Sequence, residues 1–561
     1  MSVHTHLTAI STALFMLASP LCAAETLPDA GLLNKEIEQG QRAPKIKPGG
    51  SLFHAQRQTQ PQSADDGIHF QLREIQVIGL NGEPVEEDIR PVITPFLHQD
   101  LQFSALDRLT RQLTEFYRRH DYLLARAILP PQDIVDGKLT VLLIKGQLAD
   151  IHINNHSALR DNIVKRLSTA GINEGYYVYQ SELERLALVL NDIPAIRPSL
   201  SLKSAQQQGK ADLTVTLENG RRFGGYVLTD NQGSKETGRY RFLLGGSVYN
   251  LLGLGDELKL DMLTSGKGDL KNAKLDYSAL IDGYATRFGV TASYLHYRLG
   301  GNFKDLQSAG NAKNAGVYLL HPTVRSPNLR LNTRLAFNHQ TLTDKQRAVN
   351  LIQTRKINTL SLTLAGSWNS VPNGVSYFSF GTVFGREGSH SNERPHYRAE
   401  NFAAKKSFTL FNYQLSHEQF LPYSLAVNIN AMGQWTDKNL DSSQKLLLGG
   451  LHAVRGYKAG AASVDEGHIV QAELKHYVPV FEQSILTGSL FYDYATGKYY
   501  KSTRTLSKNT DNHVTLQSLG AGLALSAANN YHIGLTFAKP INNKLAASDR
   551  HQVWLSAMKT F

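Results

Sequence analysis

The chain contains one cysteine, Cys22, in 561 residues, and beyond its N-terminal stretch no apolar run is long enough to form a membrane-spanning helix. The first scarcity excludes a disulfide framework. The second excludes a helical membrane protein, in keeping with a mean hydropathy of −0.29. There is no Gly-x-x-x-x-Gly-Lys-Ser/Thr loop, no Gly-x-Ser-x-Gly elbow and no His-Glu-x-x-His pair. A nucleotide-driven motor therefore has no phosphate cradle, and hydrolase chemistry has no nucleophile or zinc signature. No catalytic, cofactor or metal role is assigned to any residue, and the chain is read as not an enzyme. Net charge is +11, but Lys and Arg are spread along the chain rather than gathered in a patch, which argues against nucleic acid as a partner.

What the sequence does have is alternation. Leu360, Leu362, Leu364, Gly366 and Trp368 fall on one face of an extended segment, and Thr359, Ser361, Thr363, Ala365 and Ser367 on the other. Tyr240, Phe242, Leu244 and Val248 oppose Arg239, Arg241, Gly245 and Ser247, and Leu258, Leu260 and Met262 oppose Glu257, Lys259 and Asp261. Period two gives each strand one greasy and one wet face. A secreted β-sandwich alternates too, but these strands are long, no helical segment interrupts them, and the chain closes on an aromatic, Phe561, after Val553, Leu555 and Ala557. Residues 221–561 thus read as a transmembrane β-barrel, with Phe561 as its C-terminal barrel signal. At about 20 residues per strand and turn, the length allows about 16 antiparallel strands around a wet lumen.

Ahead of the barrel, residues 1–24 carry an apolar core, Leu7 to Leu21, ending in Cys22-Ala23-Ala24, and read as a secretory signal peptide. Cleavage after Ala24 would remove the sole cysteine. Residues 26–42 hold a short amphipathic helix beginning at Pro28, with Leu32, Leu33 and Ile37 as its apolar face. It is too short to stand alone in water and must dock. Residues 43–66, rich in Pro, Gly, Gln and Ser, read as a flexible linker.

Two copies of a β-α-α-β-β order follow, over 67–146 and 147–220. The first has a strand at Phe70–Ile78, a helical stretch at Glu86–Phe96, a stronger helix capped by Ser104 and Asp107, and strands near Leu124–Leu129 and Leu139–Ile144. The second places Ile151 and Ile153 on a strand, Leu159, Ile163 and Leu167 on a helix, Leu183, Leu186 and Leu190 on another opened by Ser181 and Glu184, and Leu213, Val215 and Leu217 on the closing strand. Leu139-Thr140-Val141 is echoed by Leu213-Thr214-Val215, each after a Gly-Lys pair. Open strand edges would let an extended chain add to such modules.

One motif is more specific. Leu446-Leu447-Leu448-Gly449-Gly450, then Val454-Arg455-Gly456-Tyr457, then Phe491-Tyr492-Asp493 resembles the signature of the two-partner secretion outer-membrane transporters. The order of signal, plug helix, linker, two polypeptide-transport-associated (POTRA) domains and barrel is similar to theirs over the whole mature chain. The resemblance implies that the Val-Arg-Gly-Tyr segment lies at the tip of an extracellular loop folded into the lumen, with Arg455 against Asp493 on the barrel wall. Chemistry agrees, because a lumenal guanidinium needs a carboxylate for its planar fork of donors, and Gly456 is expected to permit a sharp turn. Ala495 departs from the glycine expected two positions after the aspartate.

The resemblance further implies a Gram-negative outer-membrane location with the POTRA domains in the periplasm. Its implied partners are a large secreted exoprotein with an N-terminal recognition domain, outer-membrane lipid, and periplasmic chaperones and barrel-assembly machinery for its own insertion. The exoprotein would be captured unfolded and pass extended through a pore too narrow for a folded domain. Alternatives are a barrel-assembly factor of the same superfamily and a passive porin, which leaves the periplasmic modules unexplained. The cargo stays open between adhesins, haemolysins, contact-dependent toxins and haem- or iron-acquisition proteins.

Overall fold

The structure is a computed structural model that describes residues 27–40, 69–369, 372–388, 391–392, 407–481, 483–503, 511–528, 530–541, 545 and 549–561. The expected signal peptide (1–24) and linker (43–66) lie outside the described residues, as do positions 26, 41 and 42 of the expected plug segment.

Sixteen long antiparallel strands, from Phe223–Asp230 to Gln552–Thr560, close into one barrel, with a two-residue strand, Ser391–Asn392, at one loop. No helix among the described residues is long and apolar enough to cross a membrane; the strands cross instead. Alternation decides which side chains meet lipid: Leu360, Leu362, Leu364 and Trp368 are exposed on the outside, as are Phe242, Leu244, Leu260 and Met262, while their neighbours in sequence point inward. Ladder length varies. Leu329–Gln346 and Leu351–Trp368 share 18 residue pairs, whereas the first and last strands pair only from Ser556–Asp230 to Thr560–Tyr226. At that seam the Asn231 carboxamide replaces ladder bonds, donating to Val553 O at 2.8 Å and accepting from Leu555 N at 2.8 Å. The Phe561 amide closes the other end on Gly225 O at 2.9 Å.

The two modules share one topology. In the first, Glu74–Ile78 runs parallel to Lys138–Ile144, with Arg126–Ile128 antiparallel on the far side; in the second, Gln147–His156 runs parallel to Lys210–Asn219, with Ile196–Ser204 antiparallel. Gly137 and Gly209 both hold a left-handed φ, +72° and +76°, immediately before the central strand, which is why the Gly-Lys pair recurs. The helices Phe103–Arg119, Asp161–Thr169 and Gln180–Asn191 bury their apolar faces against these sheets. The stretch expected as a helix at Glu86–Phe96 is shorter, Arg90–Ile93 followed by a single tight turn, Thr94–Phe96, and Leu159 lies just before its helix.

The expected caps differ as well. Gln102 holds the cap position ahead of Phe103 without a side-chain bond, so Ser104 sits inside the first turn. Ser181 is likewise inside its helix, and the carboxylate serving that N-terminus comes from the other module: Asp121 accepts from the Ser181 amide at 2.9 Å and from its hydroxyl. An anion at a helix N-terminus is favourable wherever it originates in the chain. The second module stands on periplasmic turns of the barrel, its Arg160 amide bonding Gly253 O at 3.0 Å and its Arg166 guanidinium bonding Ile281 O at 3.3 Å.

Candidate functional site: a lumenal lock and a plug

Between strands Leu425–Thr436 and Glu466–Phe481 the chain makes a long excursion into the lumen. Its two limbs pair through Leu446–Leu447 and Ser463–Val464, and Gly450 turns the tip at φ +117°, a conformation open to glycine. Val454 and Tyr457 pack at the tip with Leu446, Leu448, Val464, Ile469, Ala495 and Leu516. Arg455 carries its charge outward, to the wall.

There its Nη2 donates to Asp493 Oδ1 at 2.7 Å and its Nε to Asp493 Oδ2 at 3.0 Å. Its backbone amide also donates to Oδ2, at 2.9 Å. The Ser518 hydroxyl gives that oxygen a further bond at 3.0 Å and accepts the Gly456 amide at 3.1 Å. The guanidinium carbon lies 3.3 Å from the centre of the Phe491 ring, a cation–π contact, and Glu473 lies 3.5 Å from Nη1. Trp554 of the last strand donates to Arg455 O at 2.8 Å, and Gln471 to Ala453 O at 2.8 Å. Asp493 has no exposed surface. Burying this charge is tolerable because its oxygens face four sets of donors.

Gly456 matters for a reason other than a turn. Its φ is not left-handed, but a Cβ there would lie 2.6 Å from Ser518 Cβ and 3.0 Å from Pro540 N. Glycine lets the loop lie against the wall. Ala495, where glycine was expected, keeps the ladder regular, pairing with Ile469 and Leu516, and its methyl is buried among the loop's apolar residues. Gln471 and Ser518 were not singled out from sequence, yet both stand directly across the ladders from Asp493. Only the register reveals them, whereas Phe491 was present in the motif with the parity that puts it beside Asp493.

The N-terminal helix, Ala30–Gly40 (α1), lies inside the barrel. Leu33 and Ile37 face the wall, packing with Leu263, Leu295, Leu342, Ile357 and Phe408, each burial contributing about 1.5–3 kcal/mol. Leu32 does not share that face. It lies on the side toward the lumenal loop, near Gly460, because one residue turns a helix by about 100°. Polar groups fix both ends. Gln39 pairs with Leu447 through both carboxamide atoms, at 3.0 and 3.3 Å. Asp29 caps α1 by accepting from the Leu32 amide at 2.7 Å and meets buried Arg355, which also binds Asp344 of the wall and Asp441 of the loop at 3.1, 2.7 and 2.6 Å respectively. One guanidinium ties plug, wall and loop.

At the joint between the modules, Lys145 donates to Glu87 at 2.7 Å and lies over the rings of Tyr117, Tyr122 and Tyr177 at 5.5, 4.8 and 5.5 Å. Burial acts to raise the Glu87 pKa, but the bonds from Lys145, its own backbone and Tyr117 outweigh it and hold the carboxyl below its ordinary value.

These features define a β-barrel with periplasmic POTRA modules whose lumen is occupied by its own helix and returning loop. The family described as haemolysin secretion/activation protein ShlB/FhaC/HecB matches residues 209–525, and the ShlB-type POTRA domain matches residues 70–146. The chain is 50% identical over 537 residues, 95% of each chain, to the heme/hemopexin transporter protein HuxB of Haemophilus influenzae strain 86-028NP. It is 22% identical over 436 residues, 74% of each chain, to the outer membrane transporter CdiB of Dickeya dadantii. The solved structure of CdiB from Escherichia coli superposes with a TM-score of 0.69 at 20% identity, covering 100% of this chain and 99% of that one, and shows the same fold. The chain belongs to the haemolysin secretion/activation family of two-partner secretion transporters. It resides in the outer membrane with its POTRA domains in the periplasm, and the family works with large secreted exoproteins.

Proposed function

We propose that this protein captures an unfolded exoprotein in the periplasm on its POTRA domains and passes it in extended form through the barrel to the cell surface, without nucleotide hydrolysis and without enzymatic chemistry of its own. The exoprotein belongs to the heme/hemopexin class named for HuxB; the identity to that transporter over 95% of both chains is the observation that carries this assignment. The edge strand Ile196–Ser204 of the second sheet pairs on one side only among the described residues, which suits strand addition by an incoming segment. The lumen holds α1 and the loop, so transport requires α1 to leave, while the Arg455–Asp493 pair fixes the loop's register. Phe561, placed at the seam, serves as the signal for the barrel's own insertion. Folding of the cargo outside supplies the drive.

The test is co-expression with the large exoprotein encoded by the neighbouring reading frame, followed by assay of the medium with and without residues 67–220. Release that depends on those residues is expected. Absence of release together with a fall in other outer-membrane barrels on removing this chain would replace transport with barrel assembly.

A further inference from the structure

Four arginines face the lumen at its periplasmic mouth on adjacent hairpins: Arg287, Arg325, Arg330 and Arg334. Their inward direction follows from parity, since Phe288, Leu335 and Phe337 beside them are exposed to lipid. Three have protein partners for their faces or donors. Arg287 bonds Ser278, Arg334 stacks 4.3 Å over Tyr318, and Arg325 donates to Asp192, Val324 O, Leu331 O and Asn332.

Arg330 is different. It is 5% exposed, and its one bond runs from Nη1 to Asp192 Oδ1 at 3.3 Å. Nε and Nη2 are buried and, among the described residues, have no hydrogen-bond partner. Those two atoms form the side edge of the guanidinium, whose parallel donors match the two oxygens of a carboxylate. Elsewhere this chain uses that edge in just this way: Arg241 presents Nε and Nη2 to Asp230, Arg90 to Asp88, and Arg455 to Asp493. A buried, charged donor pair left unpaired is unfavourable.

Asp192 adds a second observation. It is the C-cap of Gln180–Asn191 in the second POTRA domain, where the helix dipole disfavours an anion, and it divides its two oxygens between Arg325 and Arg330. One carboxylate thus serves two buried guanidiniums, leaving one positive charge in excess within this trio.

We propose that the Nε/Nη2 edge of Arg330 is a carboxylate site for acidic side chains of the exoprotein, engaged as the extended chain passes from the second POTRA domain into the lumen. Arg334 lies two steps further along the same inward face, past Asn332, and adds a second guanidinium there. Asp192, bonded at Nη1 rather than at that edge, offsets part of the same positive charge at rest. The lumenal direction of Arg330 excludes lipid phosphate, so the partner is an acidic polypeptide segment. The assignment rests on the transport reading above.

The experiment uses the full chain in nanodiscs and fluorescein-labelled hexaglutamate as probe, with hexaglutamine as the uncharged control. Binding is read by anisotropy for the parent, Arg330→Gln, Arg330→Lys and Asp192→Asn. Each variant is first checked for the heat-dependent gel mobility of a folded barrel. Arg330→Gln is expected to weaken hexaglutamate by about tenfold or more, Arg330→Lys to recover part of the loss, and Asp192→Asn to tighten binding, an effect that a merely structural Asp192 would not produce. Equal affinity in parent and Arg330→Gln overturns the site, as does hexaglutamine binding as tightly as hexaglutamate. Exoprotein release is measured in parallel. Arg330-dependent binding with full release by Arg330→Gln overturns the role in transport, whereas failure of the parent itself to release exoprotein counts against the transport reading rather than the carboxylate site.

Discussion

At the scale of single residues, the lock depends on geometry more than on charge. Replacing Arg455 with alanine strands Asp493 in a site without solvent, and breaking a buried pair from one side costs about 3–5 kcal/mol. Ladder bonds elsewhere hold the barrel, so Arg455→Ala is expected to insert at parental levels while its loop becomes sensitive to added protease and exoprotein release falls; parental release would make the pair decorative. Gly456→Ala keeps every charge yet sets a methyl 2.6 Å from Ser518 Cβ, and the same protease sensitivity is expected. If that variant behaves like the parent, close approach is not what glycine provides. The residues of the lock were unevenly legible. Arg455 and Asp493 carry a motif, but Ser518 and Gln471 are ordinary polar residues in alternating strands. Nothing local distinguishes them from Thr515 or Gln517.

At the scale of elements, α1 and the joint between the modules are the parts built to move or to stay. An isolated 11-residue helix is marginal in water, so α1 persists through its contacts, chiefly Leu33 and Ile37 on the wall and Asp29 on Arg355. Asp29→Asn removes one of three carboxylates from Arg355 and leaves the wall and loop contacts in place. A loss of about 1–2 kcal/mol would raise the unplugged population by roughly 5- to 30-fold. In planar bilayers this is expected as more frequent large-conductance openings, with deletion of residues 27–40 giving a persistently larger conductance. Unchanged conductance in the deletion would show that α1 does not obstruct the pore. For the joint, the lowered pKa of Glu87 sets the sign. Its contribution is fully present above the ordinary carboxylate value of 4.5 and is lost as pH falls through the lower folded value. Distance measurements between labels on the two POTRA domains are therefore expected to be flat at neutral pH and to broaden only below that range, and Glu87→Gln should show the broadened distribution already at neutral pH. Here the sequence was a partial guide. The repeated Gly-Lys pair announced two similar modules, but Asp121 capping its neighbour's helix and Lys145 reaching a ring in the other module depend on how the two are docked.

At the scale of the whole molecule, the barrel is unevenly closed. The seam between first and last strands has the shortest ladder and relies on the Asn231 carboxamide for two further bonds. Asn231→Ala is expected to lower the temperature at which the folded form is lost on detergent gels, since two hydrogen bonds of about 0.5–1.5 kcal/mol each disappear, whereas alanine at half-buried Asn338, inside a long ladder, should leave it unchanged. No change in Asn231→Ala would place the seam's strength in its backbone pairs alone. What the sequence by itself determined is whatever has a local period: the alternation that sorts lipid-facing from lumenal side chains, the amphipathic helices, and the tetrapeptide whose spacing to Phe491 and Asp493 is carried along the chain. Backbone geometry imposes those periods wherever the segment ends up. Only the tertiary structure decided which lumenal residues meet. Asp29, Asp344 and Asp441 converge on Arg355 from 326, 11 and 86 residues away, and the side edge of Arg330 is left without a partner among the described residues, because strand register and closure bring together positions that no local pattern relates.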